Sequence, residues 1–361
     1  MHSLTRPPPA PLVPIGHRYS SSMLLGQLAD RHGRVARDLR VSLTDRCNLR
    51  CSYCMPADGL AWLPVEGTLT DDEVLRLLRV AVERFGVTCI RFTGGEPLLR
   101  RGLERIVAGA AGLRGAHGRP ELALTTNGLG LDRRIDGLRA AGLDRVNISL
   151  DSLDRARYAR LSRRDRLDDV LAGIAATDRA GLRPLKINAV VMRDINEADI
   201  VPLARFSLER GYELRFIEQM PLGPAGEWRR DALVSADEIL AELGATFALT
   251  PAVEPRGAAP AALWHVAADA GQPGGRVGVI ASVTHPFCGA CDRTRLTSDG
   301  QVRSCLFSRD ETDLRGLLRS GGSDDDLARV WRGAQWGKPR AHGIDAPGFQ
   351  QPERTMSAIG G

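Results

Sequence analysis

The chain has no run of eighteen apolar residues, which excludes an ordinary membrane-spanning helix. It has no Walker-type glycine-rich loop, so chemistry on a phosphate chain is not indicated. Aromatics make up only 5% of it and are not interleaved with basic residues, as single-stranded nucleic-acid binding requires. No acidic residue occurs before Asp30, and the opening stretch carries Pro7-Pro8-Pro9 and Ser20-Ser21-Ser22. Such a start superficially fits an organellar transit peptide. Its prolines would break the amphipathic helix a transit peptide needs. Residues 1–20 therefore read as a disordered, Pro-rich arm, with a cleavable targeting segment as the alternative.

What is present is ordinary in bulk. The 361 residues are 43% apolar and 26% charged, enough for one barrel-sized domain or two smaller ones. A net charge of +5 and a pI near 9.0 favour an anionic partner without choosing one. The seven cysteines are an odd number. Six fall into two groups of three, which suits metal binding in a reducing compartment better than disulfides. Cys89 stands apart, in an apolar run that predicts a buried strand position.

From Arg40 onward, short apolar runs alternate with helical patterns. Strands are predicted at 39–43, 88–93, 122–125, 145–150, 185–191 and 213–217. Helices are predicted at 71–85, 103–113, 131–141, 167–180 and 197–210, the first opened by the capping pattern Thr70-Asp71-Asp72-Glu73. Alternation of this kind implies right-handed βαβ units and a parallel sheet, as a partly open barrel or a doubly wound sheet. Regularity fades after about residue 219. Residues 250–275 read as an irregular excursion, 277–283 as a strand, and 295–306 as a hairpin turning at Asp299-Gly300. Residues 356–361 carry no helix or strand signal.

The chemistry-bearing residues follow the strands. Cys47-x3-Cys51-x2-Cys54 comes after the first strand, Gly94-Gly95-Glu96-Pro97 after the second, Thr125-Thr126-Asn127-Gly128 after the third, and Ser149-Leu150-Asp151-Ser152 at the end of the fourth. Ligands bind at the carboxyl ends of strands in such folds. Three thiolates without a local fourth ligand suit a cubane iron–sulfur cluster with one open iron; a three-cysteine zinc site is the alternative. The second triad is Cys288-x2-Cys291-x13-Cys305. His285 precedes it, so a Cys3His zinc site competes evenly with a cluster. Arg293 and Arg295 share one face of an extended segment and suit a polyanion or purine, unless they are plain surface charges.

Cys47-x3-Cys51-x-Tyr53-Cys54 resembles the signature of the radical S-adenosylmethionine superfamily. With the second triad, Arg293-x-Arg295 and terminal Gly360-Gly361, the chain from Arg40 to Gly361 resembles the GTP 3′,8-cyclase family within it. The resemblance implies a partial (βα)6 TIM-like barrel over residues 21–219 and a smaller C-terminal auxiliary-cluster domain with a diglycine tail over 220–361. It implies two [4Fe–4S] clusters, one on Cys47, Cys51 and Cys54, the other on Cys288, Cys291 and Cys305. It implies S-adenosylmethionine contacts at Tyr53, Gly95, Ser149 and Met220. GTP contacts would come from Arg40, Arg91, Thr125, Lys186, Arg293 and Arg295, with Gly360 and Gly361 positioning the reacting groups. The activity implied is conversion of GTP to 3′,8-cyclo-7,8-dihydro-GTP, first step of molybdenum cofactor biosynthesis. Partners would be an external electron donor, a downstream pyranopterin synthase and a second copy in a homodimer, in the cytoplasm, with no nucleic acid or membrane. The alternatives are a peptide-modifying radical enzyme with an auxiliary cluster and a non-catalytic zinc protein.

Overall fold

The computed structural model describes residues 26–269 and 271–360. The arm expected over 1–20 lies outside the described residues, as does Gly361.

Six short strands form the first part of the sheet: β1 (Asp38–Ser42), β2 (Cys89–Thr93), β3 (Glu121–Thr126), β4 (Arg145–Ser149), β5 (Lys186–Val191) and β6 (Glu213–Glu218). Each pairs in parallel with the next. All six sit within a residue or two of their predicted positions. Their two faces differ, as strand geometry requires. Leu39, Val41, Ile90, Phe92, Leu122, Leu124, Val146 and Ile148 enter the hydrophobic core. The opposite face presents Arg40, Arg91, Thr125, Asn147 and Ser149 to a cavity.

The helices between the strands follow the predicted pattern with local departures. Thr70 and Glu73 form the reciprocal cap, and the helix Asp71–Arg79 runs on as a π-turn over Val80–Arg84. The segment predicted as one helix over 131–141 splits into a 3-10 turn, Leu131–Arg133, and a helix, Ile135–Ala140. An extra helix, Arg155–Ser162, is capped by Asp154. Its Arg-rich face hides the pattern, and Tyr158 and Leu161 are its main apolar anchors. Cys89 opens β2 as expected but is only half-buried, beside Glu121 and Arg145.

Regularity continues past residue 219, contrary to the sequence pattern. A helix, Ala236–Thr246, carries its own capping box, Ser235 with Glu238. Within the supposed excursion, β7 (Leu249–Pro251) and β8 (Ala262–Val266) pair antiparallel, and β8 joins β9 (Gly275–Ile280). Further on come β10 (Arg293–Leu296), β11 (Gln301–Arg303) and β12 (Thr312–Asp313). The hairpin β10–β11 turns at Asp299-Gly300 as expected, with Gly300 left-handed at φ +79°. Residues 356–359, expected to lack structure, form a short helix, Met356–Ile359. Docking explains it: Met356 donates its N–H to the Leu222 carbonyl at 2.8 Å, and Ile359 is buried in a small cluster with Leu222, Val283 and Phe307.

The whole is one twelve-stranded sheet in the order β12-β11-β10-β1-β2-β3-β4-β5-β6-β9-β8-β7. β10 adds in parallel to β1, and β9 adds in parallel to β6. Eight parallel strands thus form the centre, with an antiparallel extension at each end. The sheet does not close on itself. The partly open barrel is the observed form.

A C-terminal helix, Asp324–Trp336, braces this arrangement. Trp331 is fully buried, meets Phe85 edge-on at 5.7 Å, and donates its indole N–H to Thr294 Oγ1 at 3.1 Å. One side chain therefore ties the first helical layer to β10. Trp331→Ala should lower stability by about 3–5 kcal/mol, read by urea unfolding of the apo chain. Trp331→Phe should recover most of that loss, and equal stability in the two would discount the packing argument.

Candidate active site

One cavity of about 310 Å³ is lined by both cysteine triads. Arg40, Arg91, Thr125, Ser149, Tyr53, Gly95, Met220, Arg293 and Arg295 line it too. Among the sequence-predicted residues, Lys186 and Gly360 do not line it. The Lys186 ammonium lies 3.5 Å from Glu213 Oε1, and burial, then Arg215, pushes it down to about 8. Gly361 is outside the described residues.

The first triad sits on a loop held by its neighbours. Cys54 and Met55 donate their N–H groups to the Cys51 carbonyl at 2.9 and 3.1 Å. Leu49 N and Asn127 Nδ2 point at Cys47 Sγ from 3.4 and 3.8 Å. The glycine pair clamps this loop. Gly94 has φ +145°, and a Cβ there would stand 2.4 Å from the Thr44 carbonyl oxygen. A Cβ on Gly95 would stand 2.3 Å from the Arg46 carbonyl oxygen. The glycines are needed for this close backbone approach, whatever else they contact.

Two buried carboxylates complete the clamp, and the sequence reading assigned neither a role. Glu96 accepts from Leu98 N, Thr126 Oγ1 and Asn127 N at 2.7–2.9 Å, joining the turns after β2 and β3. Burial raises it to about 7, against those hydrogen bonds. Asp151 accepts from the Tyr53 hydroxyl at 2.8 Å and from Val190 N at 2.9 Å, joining the cysteine loop to β4 and β5. Burial raises it to about 6. Burial likewise pushes Cys47 up to about 11 and Cys54 up to about 12, and Cys51 well up, helped by Asp151. Bare thiolates are therefore unfavourable here. A soft cation bound to all three sulfurs would supply the missing charge.

The second triad spans a 3-10 turn, Cys288–Ala290, with Cys291 beside it, and Cys305 just beyond β11. His285, the fourth ligand of the zinc alternative, turns away. It faces Asp237 at 3.5 Å and is half exposed, so it is not in the cavity. His342 lines the cavity instead, its Nε2 2.9 Å from the Ser282 carbonyl. Burial pushes the Cys291 thiol up, but Lys338 and Arg293 outweigh it and hold the thiol below its usual value. Burial pushes the Cys288 thiol up, so the cations favour a thiolate at Cys291 in particular.

The cationic floor comes from strand register. Arg295, Arg40 and Arg91 are direct cross-strand neighbours on β10, β1 and β2. Like charges in such positions repel, and Asp38 is the acid placed among them, 3.6 Å from Arg91. Burial, then Arg293, pushes Arg295 down to about 10; burial, then Arg295 and Arg91, lowers Arg40. The Nε atoms of Arg40, Arg91 and Arg293 are buried with no hydrogen-bond partner among the described residues. Arg293 and Arg295 are 6% and 4% exposed, so they are not surface charges. Arg293 lies over the Phe287 ring and donates to the Ala258 carbonyl at 2.7 Å. Arg295 donates to the Gly360 carbonyl at 2.7 Å. Gly360 is at φ +85°, and a Cβ there would come within 2.5 Å of Thr93 Oγ1. The tail is thus packed in, not frayed.

Sequence reasoning also missed Arg215, which lines the cavity at 8% exposure. The signal was there: period-two alternation on β6 places it on the face of Glu213, to which its Nε donates at 2.8 Å.

Gly95→Ala should displace the Arg46–Cys47 backbone. Iron retained by the chain after anaerobic reconstitution should fall sharply. Wild-type iron content in this variant would show that the loop can give way.

Comparison with known proteins agrees with this site. Residues 41–207 match the Radical SAM superfamily, and residues 212–344 match Molybdenum Cofactor Synthesis C. A Corynebacterium glutamicum protein named GTP 3′,8-cyclase is 65% identical over 337 residues, covering 92% of this chain and 89% of the relative. A Mycobacterium marinum protein of the same name is 60% identical, covering 93% and 92%. GTP 3′,8-cyclase 2 of Mycobacterium tuberculosis is 61% identical with the same coverage. Among solved structures, Streptococcus suis SuiB bound to S-adenosylmethionine aligns with TM-score 0.57 at 14% identity, over 88% of this chain and 67% of that one, a likeness of fold. The chain belongs to the GTP 3′,8-cyclase family of radical S-adenosylmethionine enzymes.

Proposed function

We propose that this protein converts GTP to 3′,8-cyclo-7,8-dihydro-GTP, the first step of molybdenum cofactor biosynthesis. The observation that carries the reading is the buried row Arg295–Arg40–Arg91, with Arg293 beside it, around one cavity shared by two cysteine triads. Buried cations with unpaired Nε atoms call for a polyanion, and a nucleoside triphosphate supplies one.

Cys47, Cys51 and Cys54 would hold one [4Fe–4S] cluster, and Cys288, Cys291 and Cys305 a second. When bound, the first cluster with S-adenosylmethionine would supply the radical chemistry of the cyclisation, in which the C3′ hydrogen of GTP would pass to 5′-deoxyadenosine, C3′ would bond to C8, and one electron from the external reductant and one proton would complete the 7,8-dihydro product. The chain's own part is to bind, orient and exclude water. Tyr53, Gly95, Ser149 and Met220 would contact S-adenosylmethionine. Tyr53 is oriented by its hydroxyl bond to Asp151. Arg40, Arg91, Thr125, Arg293 and Arg295 would contact GTP. Lys186 would serve from beside the cavity, as part of the charge cluster with Glu213 and Arg215. Gly360, held by Arg295, would bring Gly361 to the reacting groups. Residues 21–219 would act as the radical-generating unit and 220–361 as the substrate and auxiliary-cluster unit. An external reductant would drive turnover, and a pyranopterin synthase would consume the product. No helix among the described residues is long and apolar enough to cross a membrane. The setting would be the cytoplasm, and the assembly a homodimer.

The deciding experiment is an anaerobic assay with GTP, S-adenosylmethionine and dithionite, with products read by mass spectrometry. Wild type should give 5′-deoxyadenosine and the cyclised nucleotide, and Cys47→Ala should give neither. Normal deoxyadenosine formation by Cys47→Ala would refute the assignment of the first triad.

Arg40 tests the substrate. A charge-assisted contact is worth on the order of 1.5–3 kcal/mol, so Arg40→Ala should weaken GTP binding roughly 10- to 100-fold with iron content unchanged. Equilibrium dialysis under nitrogen measures this, and unaltered affinity would remove the arginine row from the argument.

A further inference from the structure

Lys338 follows the helix Asp324–Trp336 and turns fully inward, at 2% exposure. Its ammonium meets three acceptors: the Arg293 carbonyl at 2.6 Å, the Cys291 carbonyl at 3.2 Å and Cys291 Sγ at 3.3 Å. An ammonium has three protons to donate, so the set is complete. Among the described residues no carboxylate lies within ion-pair distance of it; Asp292, the nearest acid in sequence, acts on it only from farther away. A buried charge facing two neutral carbonyls and one sulfur is costly unless the sulfur side carries the balancing negative charge. A thiolate-held iron–sulfur cluster does so, the more strongly once reduced. Such a contact lies among the factors that set cluster potential: net charge, hydrogen bonds to sulfur and exclusion of solvent.

We propose that Lys338 is a positioning residue for the second cluster. It is the fixed counter-charge that favours the cluster's reduced form, and it locks the Cys291–Arg293 backbone so that one metal ligand and one substrate-facing arginine hold a common register. The inference rests on the two-cluster reading above. Its physical basis is independent of turnover: a donor within hydrogen-bond reach of ligand sulfur stabilises added negative charge there. The first triad has no such partner. Its sulfurs receive neutral donors, Leu49 N and Asn127 Nδ2 at Cys47, Tyr53 at Cys51 and Ser357 at Cys54, and the one cation acting on them, Arg50, spends its guanidinium on the Cys47 and Leu49 carbonyls, with Glu96 and Asp151 as the nearby acids.

The test uses the full-length, reconstituted holoenzyme and an EPR-monitored redox titration. A chain with Cys47, Cys51 and Cys54 all replaced by Ala supplies the reference signal of the second cluster. That reference should hold about four irons. A reference that folds but binds no iron would sink the two-cluster reading and this inference with it. With the reference in hand, Lys338→Met should shift the second cluster's midpoint negative. The expected change is about ten-fold in the reduction equilibrium, about 59 mV for a one-electron couple. The first cluster's midpoint should stay put. Lys338→Arg, which keeps the charge, should remain close to wild type. An unchanged second midpoint in Lys338→Met would overturn the proposal while leaving the two-cluster reading intact. Should Lys338→Met lose the second cluster altogether, Lys338→Arg decides. Retention of iron there supports the charge role, and loss in both variants overturns it in favour of simple packing.

Discussion

The parallel pairing of β10 with β1 is the contact on which the rest depends. Asp38 faces Arg293 and Arg40 faces Arg295 across it. The Asp292 carbonyl accepts from both Arg37 N and Asp38 N at its start. Two segments about 250 positions apart in the chain thereby become neighbours 4.7–4.9 Å apart in a sheet. The first triad leaves the carboxyl end of β1, and the second brackets β10. Their sharing of a cavity follows from that single ladder, which Trp331 braces from the C-terminal helix and Lys338 from just beyond its end.

The ladder also explains why the interior can be so charged. In a parallel sheet one face of each strand packs under helices, and here that face is apolar. The other face is left free to carry Arg40, Arg91, Asn147, Arg215 and Arg295. Burial of so many cations costs stability without an anion. Asp38 and Glu213 offset part of the cost in the protein itself. The remainder is what a polyanionic substrate would relieve, and it is a reason for binding to be strong where the fold alone is strained by repulsion.

Electrostatics divides the two triads. Around the first, Glu96 and Asp151 spend their oxygens on loop hydrogen bonds and leave the thiols in a dry, acid-flanked place. Around the second, Lys338 and Arg293 lie against Cys291. The two spacings differ, Cys-x3-Cys-x2-Cys against Cys-x2-Cys-x13-Cys, and while Arg293 is a local neighbour of Cys291, Lys338, Glu96 and Asp151 reach the triads from far along the chain.

Much was legible in the chain. Short apolar runs alternating with helical patterns placed β1 to β6, because burial in the sheet is a local pattern. The Cys47-x3-Cys51-x-Tyr53-Cys54 spacing marked the first site, because three thiols within eight residues are held close together by the chain itself. What stayed hidden depends on contact at long range. β7 and β8 are short and gain their partners only through β9, so residues 250–275 look irregular in isolation. The helix Met356–Ile359 is too short to form by propensity and exists by docking on Leu222. His285 had the spacing of a ligand but found Asp237, while Lys338, with no motif around it, found Cys291. Spacing along a chain determines which groups can reach one another locally. Tertiary contact decides which do: the strand registers set Arg40, Arg91 and Arg295 side by side, and a shift of one residue would turn each of these strand side chains to the opposite face.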